Sequence, residues 1–226
     1  MRRLKFSTRL LLLVVALAAI GLMFVRDRIN HYERVARDVE SLKRMHFVVD
    51  METGSDHFFA RFAPEFEGFP TYIRLYADPL ASQETDEVLE ILKRNPSIEK
   101  LMVHVTISEK DAARLLPLRL QSLGISQTAI GDRLNVKASP TLEWLSFHRT
   151  RLNDNSLQSL GPLPLLKHLD LTRTRVSDRS IEYLAKQPSL KNVILRRCKV
   201  TAEGAERLRH LRPDMKVRWE PLTRRK

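Results

Sequence analysis

Five side chains able to bind or ionise lie at related positions in the C-terminal half of the chain. The numbers of Trp144 and His168 differ by 24, those of His148 and Arg196 differ by twice that interval, and Asp170 follows His168 at the second position. Residues two apart in a strand share one face. We therefore predict that all five lie on one curved surface, the concave face of a repeated structure. There they would offer stacking, hydrogen bonds and charge to a ligand.

The same residues do not indicate catalysis or a metal centre. His168 and Asp170 have the composition of a catalytic dyad, but no nucleophile or oxyanion-binding group can be assigned beside them. His104 and His148 share a register two repeats apart, which corresponds to about 10 Å at the spacing of neighbouring strands. That distance is too long for both to bind one metal ion. The sequence therefore predicts no enzymatic activity, no cofactor and no metal site.

Basic residues are stacked by the same interval. Residues 142–226 carry 19 basic and 9 acidic side chains, a net charge of +10 in a chain whose total is +12. Because neighbouring strands lie about 4.8 Å apart, like charges in one register repel each other and must be solvated or matched. Two columns, called the basic columns below, share this property: Arg149, Arg173 and Arg197, and Arg151, Arg175 and Lys199.

Two interpretations of the basic columns stay open. They are either a solvated edge whose long side-chain stems cover apolar surface, or a binding strip for a polyanion. An acidic protein face, lipid headgroups or an anionic envelope polymer would fit the second interpretation. Nucleic acid fits electrostatically, but the chain has no recognised nucleic-acid motif and is predicted to face outward from a membrane. Nucleic acid is therefore not the expected partner.

The elements that must position these residues follow from an apolar repeat. Leu145 and Phe147 are two apart, as in a strand with one buried face, and Leu157 and Leu160 are three apart, as on a helical turn. Asn153 precedes that turn, as Ser177 and Thr201 do in later copies, and such side chains cap helices. Three copies follow one another in this register: Leu142, Leu145, Phe147, Leu152, Leu157, Leu160; Leu166, Leu169, Leu171, Val176, Ile181, Leu184; Leu190, Val193, Leu195, Val200, Ala205, Leu208.

Weaker copies precede and follow these three. Apolar residues at 120–130 and 98–103 repeat at a slightly shorter interval, Tyr72–Tyr76 is predicted to be a further strand, and Ser82–Lys93 has the composition of a helix. Residues 211–219 keep only the start of a unit. A fixed period of this length predicts stacked units that share one core. The fold class is therefore α/β, a solenoid of short parallel strands and short helices over residues 71–219.

The motif L-x-x-L-x-L-x-x-T-x-[LV]-x-D occurs at residues 166–178, and residues 142–154 follow it with Phe147 in place of the third Leu. It resembles the bacterial leucine-rich-repeat proteins that carry Thr where better known repeats carry Asn or Cys. The resemblance covers residues 70–219 and implies the fold rather than a function. It also implies that Thr128, Thr150 and Thr174 hydrogen-bond the turn after each strand. Cys198 holds that position in the last full unit, and we therefore expect a structural cysteine.

The N-terminus predicts a membrane anchor. Residues 10–25 carry no charge, and at about 1.5 Å per residue they span roughly 24 Å, somewhat less than a hydrocarbon core. Arg9 and Arg26 flank this segment and would reach outward from its ends. The opening also resembles that of membrane-tethered leucine-rich-repeat proteins. Residues 1–28 are therefore predicted to be an uncleaved signal anchor, with secretion after cleavage near Ala16-Leu17-Ala18 as the alternative.

Charge asymmetry predicts the orientation of this anchor. Four basic residues before the apolar segment have no acidic partner, whereas Asp27 lies between Arg26 and Arg28. The positive-inside tendency then leaves the N-terminus in the cytoplasm and a single-pass chain whose repeats face outward, toward the periplasm in a bacterial cell. Residues 29–45 have the spacing of an amphipathic juxtamembrane helix. Residues 46–70, rich in Phe, are predicted to cap the repeats, and residues 220–226 form a basic tail.

These observations favour an interaction protein. We predict a membrane-tethered module that presents a basic, partly aromatic repeat surface to a protein or an anionic envelope polymer. The alternative is a structural scaffold of the cell envelope that self-associates through its juxtamembrane helix and cap, so a homo-oligomer is one possible state.

Overall fold

The computed structural model describes residues 8–44, 48–50, 72–76, 82–96, 98–104, 107–127, 130–131, 134 and 136–222. The chain divides into two compact units, residues 1–41 and 42–226. The predicted cap lies largely outside the described residues, as do the last four residues of the basic tail.

The first unit is built on one helix, α1 (Thr8–Arg44). It runs without interruption through the predicted boundary at residue 28. In its second half Val35, Val39 and Leu42 are buried, whereas Arg37 and Glu40 are exposed, which is the amphipathic spacing that the sequence predicts. Among the described residues, no helix combines the length and the apolar character needed to cross a membrane. Within the predicted span, the side chains at 10–18, 20 and 21 lie outside the described part of the chain.

The second unit is an α/β fold with its strands in one sheet, ordered as in the chain. β1 pairs antiparallel with β2, and every later pairing is parallel. A short 3₁₀ turn at Asp178–Ser180 leads into the helix Ile181–Ala185. The elements are β1 (Val48–Asp50), β2 (Tyr72–Tyr76), α2 (Ser82–Arg94), β3 (Lys100–Val103), α3 (Glu109–Leu115), β4 (Ser122–Ile125), β5 (Trp144–Ser146), α4 (Asp154–Ser159), β6 (His168–Asp170), α5 (Ile181–Ala185), β7 (Asn192–Arg196), α6 (Ala202–Leu211) and β8 (Lys216–Glu220).

Strand register reproduces the sequence period. Leu123 pairs with Leu145, Leu145 with Leu169, and Leu169 with Val193, so successive strands are offset by the same intervals as the apolar repeats. The strand predicted at 72–76 and the helix predicted at 82–93 are both present. Parallel strands need a crossover connection between them. Helices lie in these connections except between β4 and β5, where the described residues contain no helix.

The apolar repeat forms the core. Each of the eighteen positions in the three clearest copies is no more than 4% exposed, and all belong to one contiguous cluster. Phe147 is the largest fully buried side chain and reaches 0% exposure. Since each unit shares its buried face with its neighbours, the core runs through the whole stack.

Side chains cap the helical turns at the predicted positions. Asn153, Ser177 and Thr201 accept hydrogen bonds from the first free backbone N–H groups of α4, the 3₁₀ turn and α6. These caps satisfy donors that have no partner inside the helix.

Aspartates link one unit to the next through contacts called the Asp bridges below. Asp154 accepts hydrogen bonds from the backbone N–H of Ser177 at 2.8 Å, from its hydroxyl at 2.7 Å and from Ser180 Oγ at 2.5 Å. Asp178 accepts from the N–H and hydroxyl of Thr201 at 2.9 and 2.8 Å. Ala202 holds this register in the last full unit, which explains why the motif loses its Asp there. After Ala202, the described chain has no further N-cap residue that a carboxylate in this register could bind.

Replacing Asp154 with Ala is expected to lower the free energy of unfolding by about 2 to 3 kcal/mol, because three hydrogen bonds to a carboxylate are lost together. Urea denaturation followed by tryptophan fluorescence would measure the change. Asn155→Ala is the matched control, since its side chain is exposed on the next position of α4. Equal losses in the two variants would show that the Asp bridge does not stabilise the stack.

The buried cysteine occupies the predicted threonine position. Thr150 Oγ1 and Thr174 Oγ1 donate to the carbonyl oxygens of Phe147 and Leu171 at 2.9 and 2.8 Å. Cys198 Sγ donates to Leu195 O at 3.3 Å, and the residue is 2% exposed. The equivalent contact of Thr128 lies outside the described residues. Burial raises the pKa of the Cys198 thiol, so the nucleophilic thiolate is disfavoured.

We expect Cys198→Thr to keep or raise stability, because a hydroxyl makes a stronger hydrogen bond to Leu195 O than a thiol does. Cys198→Ala should lose about 1 kcal/mol with that bond. Thermal unfolding followed by circular dichroism distinguishes the two variants. A Thr variant that is less stable than the Ala variant would contradict the structural assignment.

Candidate binding site on the open face

The strands present a second face, on the side opposite the core, which we call the open face. Strand register arranges its side chains in rows that run across the sheet. Trp144, His168 and Asn192 are neighbours in one row. The next row contains Gly124, Ser146, Asp170, Ile194 and Arg218. All five residues of the predicted concave patch therefore point away from the core.

Two adjoining depressions on the open face bring the predicted residues together. The first, of about 330 Å³, is lined by Trp144, His168 and Asp170, with Asn192, Ile194 and Arg218 completing it. The second, of about 370 Å³, includes His148 and Arg196 together with Trp144 and Asp170. Trp144, Asp170 and Ile194 line both depressions, so the two adjoin, and together they are called the groove below.

A glycine shapes one end of this groove. A Cβ atom at Gly124 would lie 2.4 Å from Met102 Sδ and 3.1 Å from Trp144 Cζ3. Both side chains thus occupy the space above Gly124. A thioether beside an aromatic ring is a favourable, adaptable contact. The groove therefore has an apolar end, at Met102 and Trp144, and a polar end toward β7 and β8.

Several polar groups in the groove have no partner within the described part of the chain. Among the described residues, no hydrogen bond or ion pair reaches the side chains of His168, Asn192 or Arg218. The Ser146 hydroxyl is likewise unpartnered within that part of the chain, although the residue is only 6% exposed. Buried polar groups in folded proteins are nearly always hydrogen-bonded. These groups are the parts of the groove with unused bonding capacity.

Other predicted site residues already have partners. Arg196 Nε forms an ion pair with Glu220 at 3.0 Å, and Asp170 accepts a hydrogen bond from the Thr172 N–H at 2.8 Å. Burial lowers the pKa of His148, outweighing the opposite effect of Asp170, and Arg149 and Arg173 lower it further. These effects favour the neutral form of His148.

The sequence analysis missed a cation of the groove. Arg218 lines the first depression, and among the described residues no carboxylate pairs with it. It therefore supplies the groove with a cation that is available to a ligand. Arg218 pairs with Ile194 in the strand register, one repeat later and in the truncated last unit. This repeat position is the sequence signal that locates it.

A histidine–serine contact lies in the second depression, where His104 Nδ1 and Ser126 Oγ are 2.9 Å apart. Within the described chain, no hydrogen bond joins His168 to Asp170 or either residue to Ser146. No group of three or more His, Cys, Asp or Glu side chains among the described residues is placed to hold a metal ion.

The basic columns lie in the segments that follow β5, β6 and β7. Arg149, Arg173 and Arg197 have φ angles of 59°, 57° and 52°, and Gln127 has 59° at the same register. The backbone N–H groups of the three arginines donate to the carbonyl oxygens of Thr172, Arg196 and Glu220 in the next unit, at 2.9, 2.8 and 2.9 Å. Non-glycine residues rarely adopt this left-handed conformation, which Gly and Asn tolerate best. The backbone therefore does not explain why arginine occupies it three times.

A larger depression, of about 560 Å³, lies away from the open face. It is lined by residues such as Leu92, Ile98, Pro117 and Leu118. None of the predicted site residues contributes to it, and its lining also contains the polar residues Lys93, Glu99, Arg119, Gln121 and Thr141. Comparison with known proteins adds no assignment, because no family model and no curated protein sequence matches the chain.

Proposed function

We propose that the chain is a membrane-tethered interaction module of the leucine-rich-repeat type. Its open face and basic columns would bind a protein or an anionic polymer of the cell envelope. The observation that carries this proposal is the set of polar groups around Trp144 that lack partners within the described chain, including the nearly buried Ser146 hydroxyl. A bound ligand would supply the missing hydrogen bonds and stack on the tryptophan ring.

Other observations support the repeat type and the tether. The Thr150, Thr174 and Cys198 bonds to the turn, together with the strand register, agree with the leucine-rich-repeat motif. On α1, Leu22 and Phe24 are 70% and 69% exposed, and such apolar side chains favour insertion into lipid. In the proposed topology the N-terminus lies in the cytoplasm and the repeats face outward. Intact mass of the mature protein distinguishes this from secretion after cleavage.

Site-specific photo-crosslinking in cells tests the binding function. A photoreactive residue at Asn192, in the groove, should give a defined adduct. The same residue at Lys186, exposed at the end of α5, should give none. Trp144→Ala should abolish the adduct while the protein remains folded. Adducts of equal yield at both positions, or none at Asn192, would contradict the proposal.

A second candidate function is a self-associating scaffold. The exposed apolar side chains at 22–25 and 29 of α1 favour it, because helices with such surfaces pair as readily as they enter lipid. Light scattering of the full-length protein in detergent decides between the two. A stable oligomer that persists when the groove is mutated would support the scaffold, and a monomer would remove its basis.

A further inference from the structure

The outer edge of β8 is unpaired among the described residues. β8 lies at one end of the strand order and pairs with β7 alone. The Lys216 N–H donates to the residue before β7 at 2.7 Å, and the Glu220 carbonyl oxygen accepts from the residue after β7 at 2.9 Å. Successive residues of a strand direct their backbone groups to opposite sides. Val217 and Trp219 therefore direct theirs away from β7.

This free edge has open backbone groups and one that is already used. Among the described residues, no hydrogen bond reaches the N–H groups of Val217 and Trp219 or the carbonyl oxygen of Trp219. The carbonyl oxygen of Val217 differs, because Arg209 Nη2 donates to it at 3.3 Å. An exposed edge of this kind is a template for pairing with a further strand.

β8 also leaves apolar surface uncovered. Val217 and Trp219 pair in register with Val193 and Leu195 of β7, both of which are 0% exposed. Val217 and Trp219 pack against the same core but are only partly buried. Inside the stack each unit has a neighbour on both sides. The added exposure therefore corresponds to a neighbour that β8 lacks within the described part of the chain.

A second copy of β8 fits this edge in one antiparallel register. With a two-fold axis at Trp219, the two Trp219 residues exchange backbone hydrogen bonds. Val217 then lies opposite the partner's Pro221 and donates its N–H to that carbonyl oxygen. Proline has no N–H to return, and Val217 O needs none because Arg209 already donates to it. The register pairs every open group of the free edge.

The charges match in the same register. Arg218, which has no carboxylate partner among the described residues, lies directly opposite the partner's Glu220, with both side chains on the open face. Glu220 Oε1 pairs with Arg196 at 3.0 Å, so Oε2 is the oxygen that would accept from the second guanidinium. A two-fold axis at Arg218 instead would place the two copies of Arg218 against each other, where like charges repel.

We propose that two copies of the chain associate through β8, in antiparallel pairing about Trp219. The two sheets then join into one, and both open faces lie on the same side of it. This inference goes beyond the binding function of the groove and does not use the exposed side chains of α1. The guanidinium of Arg218 has several N–H donors, so it binds the partner's Glu220 and still offers a donor to a groove ligand.

Disulfide formation between two variants tests the register. Arg218→Cys and Glu220→Cys are prepared separately as full-length proteins in neutral detergent, where the native Cys198 is buried. Directly opposed positions without mutual backbone bonds are close enough for a disulfide. We expect the mixture to give a disulfide-linked dimer at several-fold higher yield than either variant alone. No linked dimer in the mixture, or an equal yield from Arg218→Cys alone, would overturn the inference.

Charge reversal tests the affinity. Arg218→Glu opposes carboxylates and Glu220→Arg opposes guanidinium groups, so each variant alone should raise the dissociation constant of the dimer at least about tenfold. Mixed in equal amounts, the two should recover most of the parental affinity, because the ion pairs form again across the heterodimer. That recovery also shows that both variants fold.

The control for charge reversal is Arg179→Glu, the same change at an exposed position of the 3₁₀ turn, which should dimerise as the parent does. Sedimentation velocity of the full-length proteins in detergent measures all four samples. A monomeric parent, or reversed variants that associate as tightly as the parent, would contradict the proposed dimer. An oligomer held by α1 would give the second of these results.

Discussion

Replacing Gly131 with Ala is expected to lower the free energy of unfolding by about 3 kcal/mol or more. Gly131 has a φ of 141°, a conformation that residues with a side chain rarely adopt. An added Cβ would also lie 2.1 Å from Leu152 N and 2.3 Å from the carbonyl carbon of Arg151. These are backbone atoms of the next unit, so relief requires two units to separate rather than one side chain to rotate.

Gly161 provides the control for this experiment. It also has a positive φ, 76°, but the nearest atom to an added Cβ is Lys137 Cγ at 3.9 Å. Gly161→Ala should therefore cost only the left-handed conformation, about 1 to 2 kcal/mol. Urea denaturation of both variants separates backbone strain from contact between units. Similar losses would show that close packing at Gly131 contributes nothing.

Replacing Phe147 with Ala is expected to lower the free energy of unfolding by about 3 to 5 kcal/mol. The side chain is 0% exposed and belongs to the shared core. Its removal leaves a cavity between β5 and α4 that rigid neighbouring strands cannot close. The same denaturation measurement gives the magnitude.

Phe147→Leu distinguishes the loss of volume from the loss of apolar character. Ile125 and Leu171 occupy the equivalent register in the adjacent units, so the unit geometry accepts an aliphatic residue there. We expect a cost of about 1 to 2 kcal/mol. A Leu variant as unstable as the Ala variant would mean that the aromatic ring itself, rather than filled space, stabilises the stack.

The sequence predicts the repeated part of the fold well because the buried positions carry apolar residues at a fixed interval. Leu145, Leu169 and Val193 reveal the strand register, and Asn153, Ser177 and Thr201 reveal where the helical turns begin. The position of Cys198 follows from the same alignment. These features depend on contacts that recur in every unit, so one chain supplies several copies of each signal.

Structural features that occur only once produce no repeated signal in the sequence. The space above Gly124 depends on how Met102 and Trp144 share it, and the close approach at Gly131 involves the backbone of the following unit. Arg196 forms an ion pair with Glu220 of β8. Arg218, rather than Arg196, therefore supplies the cation of the groove. Each depends on a particular pair of side chains or backbone atoms, which spacing alone does not specify.

The Asp bridges also determine where the chain is able to grow. A duplicated segment 166–189 would place Asp178 of the first copy against Ser177 and Ser180 of the second, the same groups that Asp154 binds now. The groove would lengthen by one strand without a new kind of contact. A unit appended after Leu211 would meet Ala202 instead and receive no carboxylate. The Asp bridges would therefore bind a unit inserted within the stack, whereas Ala202 has no carboxylate to bind a unit added after α6.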